Sequence, residues 1–248
     1  MGWSDIWNGV GELNVNYETF CWKFYELLLG DYNFKNKKVI EFGCGTGLNS
    51  VIMAKKGAKL TLLDMSKEAL RLAKINLENA GVDAEIINGS VFDYDVENEF
   101  DLTHSEGLIE HFTEKQRQDI VDIHAGAAKK GGKVAIIVPH KKNLPYMIGK
   151  FIAEKAGTWI YINEHPYTKN ELVYRMEKAG LQPGKIIGGE SLFSFLWLLC
   201  PLFLQSNKLV RKGICAPANE RLARLNYNTW LSNRYGRIIG TVGTKAGK

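Results

Sequence analysis

Residues Val39-Ile40-Glu41-Phe42-Gly43-Cys44-Gly45-Thr46-Gly47-Leu48-Asn49-Ser50 set three glycines at every second position, between an apolar run and a segment able to form a helix. Val39-Ile40, preceded by Lys37-Lys38, opens the run and reads as a buried strand. Leu48 to Ala54 reads as the helix. Strand, glycine loop and helix in that order make a ligand-binding corner of an open α/β sheet. Glycine is needed because the backbone turns sharply and a ligand must approach with no Cβ in the way. A dinucleotide fingerprint sets its third glycine three residues after the second. Here that position is Leu48, which speaks against a nicotinamide dehydrogenase. Glu41 stands two residues before the first glycine. A pyrophosphate gains nothing from a carboxylate there, whereas an α-ammonium group gains a partner.

Downstream, Lys59 to Leu63 reads as a second strand that ends in Asp64, roughly 20 residues beyond the first glycine. An acid there can accept both hydroxyls of a ribose. Met65 follows and offers an apolar side chain to an adenine face. Ser66 suits the N-cap of a helix from Lys67 to Ala80, which Gly81 stops. The third strand, Ala84 to Asn88, runs into Gly89-Ser90-Val91-Phe92-Asp93. The fourth, Phe100 to His104, runs into Ser105-Glu106-Gly107-Leu108-Ile109-Glu110-His111-Phe112. Thr113 and Gln116 form a capping box for a helix to Lys130, which Gly131-Gly132 ends. Lys133 to His140 is the fifth strand, Lys185-Ile186-Ile187 the sixth and Arg237 to Val242 the seventh.

The Glu41–Gly47 pattern, Asp64, the Gly89–Asp93 corner and the 104–112 segment, in that order, resemble the motifs of class I S-adenosylmethionine-dependent methyltransferases of small-molecule type. The resemblance covers about residues 37–188 and the final strand. It implies a three-layer, Rossmann-like α/β sandwich. Its seven-stranded, mostly parallel sheet has the last strand antiparallel, with N-terminal helices and a helical insert between the last two strands. It implies S-adenosyl-L-methionine as cofactor. Glu41, Gly43, Cys44, Gly45 and Gly47 would cradle its methionine part, Asp64 and Met65 its ribose and adenine, and Ser90, Val91 and Phe92 the adenine edge. His104, at the strand end, would lie beside the sulfonium. The family usually has an acid where this chain has Ser90, which leaves Ser90 or Asp93 to hold the adenine amino group. The quinone O-methyltransferases of the family add an acid three residues before Glu110 and bind a divalent metal. The matching position is Gly107 and Glu106 is one residue off, so no metal is expected.

Methyl transfer to oxygen or nitrogen can need a base for the nucleophile's proton. A histidine takes a proton near neutrality. His104 and Glu106, nearest the strand end, are candidate bases, and His140 after the fifth strand is another. Residues 141–167 depart from the core pattern and are rich in aromatics, as a pocket wall would be. His111, Tyr146 and Tyr167 are therefore candidate acceptor contacts, with Tyr17 from an N-terminal helical lid spanning 1–36. The methyltransferase domain then spans 37–248, with substrate inserts at 141–167 and 190–234. The second insert opens with Ser191 to Leu204, about 20 Å if helical. That is short of the roughly 30 Å of a bilayer core, and Pro201 interrupts it. It can roof an apolar acceptor, lie in a membrane interface through 191–212 with Lys208, Arg211 and Lys212, or form a homodimer contact. A helix from Pro217 to about Arg234 leads back to the sheet.

The chain has 248 residues, 45 % of them hydrophobic, enough for one domain with a full core. A net charge of +5, without a dense basic patch interleaved with aromatics, disfavours nucleic acid as partner. Four cysteines (Cys21, Cys44, Cys200, Cys215) have neither zinc nor disulfide spacing, and Met1 to Asp5 lacks a signal-peptide pattern. The expectation is a cytoplasmic enzyme, peripheral at a membrane if the interfacial reading holds, acting on a small apolar or lipid-like acceptor. The alternatives are a nucleoside or tRNA methyltransferase, or a non-catalytic cofactor-binding partner that docks through 190–215.

Overall fold

The computed structural model describes residue 7 and residues 20–159, 161–191, 194 and 227–247. The predicted Tyr17 contact, most of the 191–204 stretch and the first part of the predicted 217–234 helix lie outside the described residues.

Eight strands form one sheet: β1 (Lys38–Phe42), β2 (Lys59–Asp64), β3 (Ala84–Asn88), β4 (Phe100–Glu106), β5 (Ala128–Pro139), β6 (Leu181–Pro183), β7 (Ile187–Gly189) and β8 (Ile238–Lys245). Their order is β3-β2-β1-β4-β5-β8-β6, with β7 also on β8. The first five strands run parallel and β8 runs against β5, β6 and β7. Strand order reverses between β1 and β4. That switch point opens a crevice outside the carboxyl ends of the strands, and the glycine loop lies there.

The helices are α1 (Phe20–Leu29), α2 (Leu48–Lys55), α3 (Lys67–Ala80), α4 (Glu114–Ala127), α5 (Leu144–Lys155), α6 (Lys169–Lys178) and α7 (Trp230–Tyr235). Side chains alternate between the two faces of a strand. Val39, Leu62, Leu102 and Ile137 pack with Tyr25, Val51, Met53 and Leu70 from α1, α2 and α3. Ile40, Phe42, Leu63, Val134 and Ile136 pack on the other face with Ile120 and Val121 of α4 and Leu172 and Met176 of α6. Both faces are covered, so the central strands are apolar nearly throughout.

The sheet has one strand more than the sequence pattern gives. In place of a sixth strand at 185–187, two short strands flank Gly184. Pro183 lacks an N–H and ends β6, and Gly184 N–H turns to Val242 O at 2.9 Å. Helix α4 stops at Ala127 rather than Lys130. Ala127 and Ala128 are fully buried, which draws the chain onto the sheet early. Register then jumps from Phe100↔Ala128 to Leu102↔Lys133, and residues 129–132 loop out.

Near the C-terminus, residues 227–236 press onto β7. Tyr227 pairs with Gly189 as an antiparallel bridge, and Asn228 N–H donates to Gly188 O at 2.9 Å. A Cβ on Gly188 would lie 2.0 Å from Ser232 O. Helix α1 packs on the sheet, with Phe24 and Tyr25 buried, rather than over a cavity. Among the described residues of the 1–36 segment, Trp7 reaches the site described next.

Candidate functional site

A cavity of about 590 Å³ opens at the switch point, within the range of small-molecule sites. Its floor is the glycine loop. Gly43, Gly45 and Gly47 have φ of +64°, +53° and +64°, a region that L side chains rarely adopt. A Cβ on Gly45 would lie 2.8 Å from the Trp7 ring, and one on Gly43 2.6 Å from Leu108 Cδ1. The loop is therefore shaped as a cradle with no room for side chains. Gly45→Val is expected to lose S-adenosylhomocysteine binding altogether while the far-ultraviolet circular dichroism spectrum stays native, because strain and a branched side chain both fall inside the cradle.

Asp64 ends β2 beside this loop. Its Oδ2 accepts Gly45 N–H at 2.9 Å and its Oδ1 accepts Ser66 N–H at 2.8 Å. Burial raises its carboxyl, and those N–H groups oppose the rise. Each oxygen keeps a lone pair for a ligand hydroxyl. Glu41, Gly43, Cys44, Gly45, Asp64, Met65, Ser90, Val91 and Phe92 all line the cavity. Ser90 Oγ also accepts Phe92 N–H at 3.2 Å, whereas Asp93 is exposed and outside the lining. Of that pair of adenine candidates, Ser90 is the one in place.

The other end of the cavity carries carboxyls among aromatics. Glu106 ends β4, and Asn49 Nδ2 on α2 donates to its Oε2 at 3.0 Å. Burial, with the charge of Glu190, pushes Glu106 up to about 7, against Arg237 and Asn49. Glu164 is bonded by the Tyr146 hydroxyl and burial pushes it up to about 8. Glu110 is raised by burial and by Glu164. His111 Nδ1 lies 2.7 Å from Ile162 O, and burial lowers its ring to about 4, so it is neutral. His111, Tyr146, Tyr161 and Arg237 complete this end. Arg237 Nε pairs with Glu190 Oε2.

Four sequence candidates do not line the cavity. His104 lies under α2 and both its ring nitrogens are engaged, by Ser50 Oγ at 3.0 Å and Tyr25 Oη at 3.1 Å. Burial lowers it to about 3, so it takes up no proton near neutrality; this corrects its expected roles as base and cofactor contact. His140 is buried with Nδ1 against Gly236 O at 3.1 Å, and burial lowers it to about 4. That corrects its role as a base. Gly47 serves as the N-cap of α2 rather than as a wall. Tyr167 is fully buried, its ring under the guanidinium groups of Arg117 and Arg175. Its hydroxyl has no hydrogen-bond partner among the described residues. Tyr167→Phe is therefore expected to keep full turnover and to leave stability unchanged or about 1 kcal/mol higher, since an unsatisfied buried hydroxyl is removed. A chemical melt checks this.

Asn49, Trp7, Tyr161, Glu164 and Arg237 are cavity residues that carried no motif. Glu164 and Arg237 meet Glu106 only through the fold: Arg237 precedes β8, which pairs with β5, and Glu164 lies in the segment whose Tyr167 bridges to His140 after β5.

This fold and this cradle define a Rossmann-like α/β protein with a small-molecule site at its switch point. Residues 39–132 match the methyltransferase domain family. The ubiquinone biosynthesis O-methyltransferase of Ralstonia nicotianae is 30 % identical over 160 residues, 62 % of this chain and 66 % of that protein. That of Pseudoalteromonas translucida is 30 % identical over 153 residues, 59 % and 64 %. The chain thus spans slightly less than two thirds of the length of these relatives. Among solved structures, a possible histamine N-methyltransferase from Thermotoga maritima aligns with TM-score 0.61 at 16 % identity, over 92 % of this chain and 90 % of that one. The magnesium protoporphyrin IX methyltransferase of Synechocystis PCC 6803 with bound S-adenosylhomocysteine aligns with TM-score 0.61 at 11 % identity, over 98 % and 92 %. Residues 39–132 thus carry a methyltransferase domain, on the Rossmann-like fold that these solved methyltransferases share.

Proposed function

We propose that this protein transfers the methyl group of S-adenosylmethionine to the hydroxyl of a small, apolar or lipid-like acceptor. The observation that carries the reading is that one cavity is lined both by the cradle of Gly43, Gly45 and Asp64 and by Glu106, Tyr146 and Tyr161. The names of the O-methyltransferase relatives support oxygen as the nucleophile.

Bound S-adenosylmethionine supplies an activated methyl group on a sulfonium, so the protein's task is alignment and exclusion of water. Glu41 and the glycine loop would hold its methionine part, Asp64 its ribose, and Ser90, Val91 and Phe92 its adenine. Tyr146 and Tyr161 would flank the acceptor. Glu106 would accept the hydroxyl proton as the acceptor oxygen takes the methyl group. A base that titrates near the working pH suits that task.

The reading extends to two partners, a membrane surface met through 191–212 and a second copy of this chain. The outward face of α5 offers a membrane a further apolar contact. There Leu144, Ile148, Phe151 and Ile152 are exposed at helical spacing, beside Lys155. No helix among the described residues is long and apolar enough to cross a membrane. The homodimer is tested by sedimentation.

Calorimetric titration with S-adenosylmethionine and with NADH, followed by a mass-spectrometric acceptor screen over phenols, quinols, lipids, nucleosides and tRNA, tests the reading. Binding of S-adenosylmethionine alone, with methylated phenol or quinol, is the expected result. Methylated nucleoside or tRNA would move the assignment to nucleic acid. Binding without any product would favour the partner protein that docks through 190–215.

A further inference from the structure

Beneath the cradle lies a buried chain of hydrogen bonds that the methyl-transfer reading does not use. Glu41 on β1 and His104 on β4 are register partners, so both side chains leave the sheet on the same face. Ser50 of α2 sits over them. Its Oγ donates to Glu41 Oε2 at 2.6 Å and lies 3.0 Å from His104 Nε2. His104 Nδ1 lies 3.1 Å from Tyr25 Oη of α1. Ser50, His104 and Tyr25 are all at most 1 % exposed, and Glu41, at 5 %, lines the cavity.

A serine hydroxyl has one proton. If the Glu41 carboxylate takes it, Ser50 can only accept from His104 Nε2–H. The neutral imidazole then has a bare Nδ1, and Tyr25 O–H must donate to it. If Glu41 carries a proton on Oε2, every donor reverses. Glu41 donates to Ser50, Ser50 donates to a bare Nε2, and Nδ1–H donates to Tyr25 Oη. The two arrangements share their heavy-atom distances and differ in the tautomer of His104.

We propose that Tyr25, His104 and Ser50 are positioning residues for cofactor binding: they order their protons to hold Glu41 as a carboxylate for the cofactor's ammonium group, and His104 changes tautomer when that group binds. The inference rests on the cofactor reading. Its consequence is a link between α1 and the glycine loop, since the hydroxyl that meets His104 Nδ1 belongs to α1.

The surrounding charges favour a protonated Glu41 in the free protein. Burial raises it to about 8, with Glu106 and Asp64 adding to the rise and Ser50 opposing it. Cys44, on the loop, is itself raised by burial and by Glu41. His104 is faced by Glu41 and Tyr25, with His124 of α4 acting on it through the sheet. Below about pH 8, taking up an ammonium group therefore requires Glu41 to release its proton.

The test is long-range proton–nitrogen correlation on the protein labelled with nitrogen-15 histidine, at pH 7, before and after saturation with S-adenosylhomocysteine. His104→Gln identifies the His104 signals among those of the 5 histidines. The expected result is an Nδ1–H tautomer in the free protein and an Nε2–H tautomer in the complex. Calorimetry in buffers of different ionisation heat should read release of close to one proton. Tyr25→Phe removes the hydroxyl that meets His104 Nδ1 and keeps the ring. It is expected to weaken S-adenosylhomocysteine about three- to tenfold at pH 7, to move the rise of affinity with pH upward, and to leave kcat within about twofold. One tautomer in both states, or a Tyr25→Phe affinity equal to wild type at every pH, overturns the proposal. If S-adenosylhomocysteine does not bind in the calorimeter, the cofactor reading itself has failed, and this inference with it. If His104→Gln does not fold, the Tyr25→Phe spectrum identifies His104 by its shifted Nδ1.

Discussion

Glu106→Gln is expected to lower kcat by about 10²- to 10⁴-fold, the usual contribution of a positioned general base, while S-adenosylhomocysteine affinity stays within about threefold. The substitution keeps the shape of the side chain and the bond from Asn49 but removes the group that takes the acceptor's proton. Burial and Glu190 hold Glu106 at about 7. Below that pH it carries a proton and cannot act as a base; above it the carboxylate is free to do so. The kcat of the wild type should therefore rise with pH through about 7 and level off. The residual activity of Glu106→Gln should be flat across the same interval. Steady-state rates from pH 5.5 to pH 9 check both. A variant that keeps the rising limb would move the base elsewhere, with Glu164, which burial pushes up to about 8, the next cavity group.

The second large effect is expected at Asp64. Its carboxylate accepts Gly45 N–H and Ser66 N–H and faces the cavity. Asp64→Asn removes the charge and, through its amide nitrogen, one of those acceptors. Loss of a charged hydrogen bond to the ribose amounts to about 1.5–3 kcal/mol, or roughly a tenfold to hundredfold weaker S-adenosylhomocysteine complex. The loop bond lost in the free protein should cost about 1 kcal/mol, or a fall in Tm of about 2–4 °C for a chain of this size. Titration calorimetry and a melt separate the two effects. A large fall in Tm with affinity intact would mean that Asp64 serves the loop and not the ligand.

The cradle was legible in the sequence because its physics is local. Gly43, Gly45, Asp64, Ser90 and Phe92 each sit at a strand end, where an apolar run gives way to a turn, and spacing along the chain carries that information. The acceptor end was legible only in part. Glu106, His111 and Tyr146 are expected near it from the sequence and line the cavity, but the rest depends on the opposite, on residues distant in sequence. Glu164 and Arg237 stand in no motif. Arg237 comes to Glu106 through the pairing of β4 with β5 and of β5 with β8, and Glu164 through the segment that bridges Tyr167 to His140 after β5. The histidines misled for a third reason. His104 and His140 occupy strand-end positions that suggest chemistry, yet spacing cannot tell on which face of the sheet a ring will be enclosed. His104 falls on the face covered by α1 and α2, and there Tyr25 and Ser50 take both nitrogens. The split of the sixth strand turned on Pro183 and Gly184, two residues that break a pattern without announcing where pairing resumes.

The bridge between Gly189 and Tyr227 has a consequence for protein engineering. The chain leaves the sheet just after residue 189 and is back beside the same strand at residue 227. The contact of Gly188 with Ser232 leaves no room for a side chain there, so the point of return is fixed by the sheet. Residues 191–226 therefore join two ends that the sheet holds as neighbours. Replacing them with a turn of a few residues would need no change of register and would lower the entropy of closing the loop by roughly 2 kcal/mol. The same two ends could accept a segment from another protein while β1, β2 and the glycine loop are left alone.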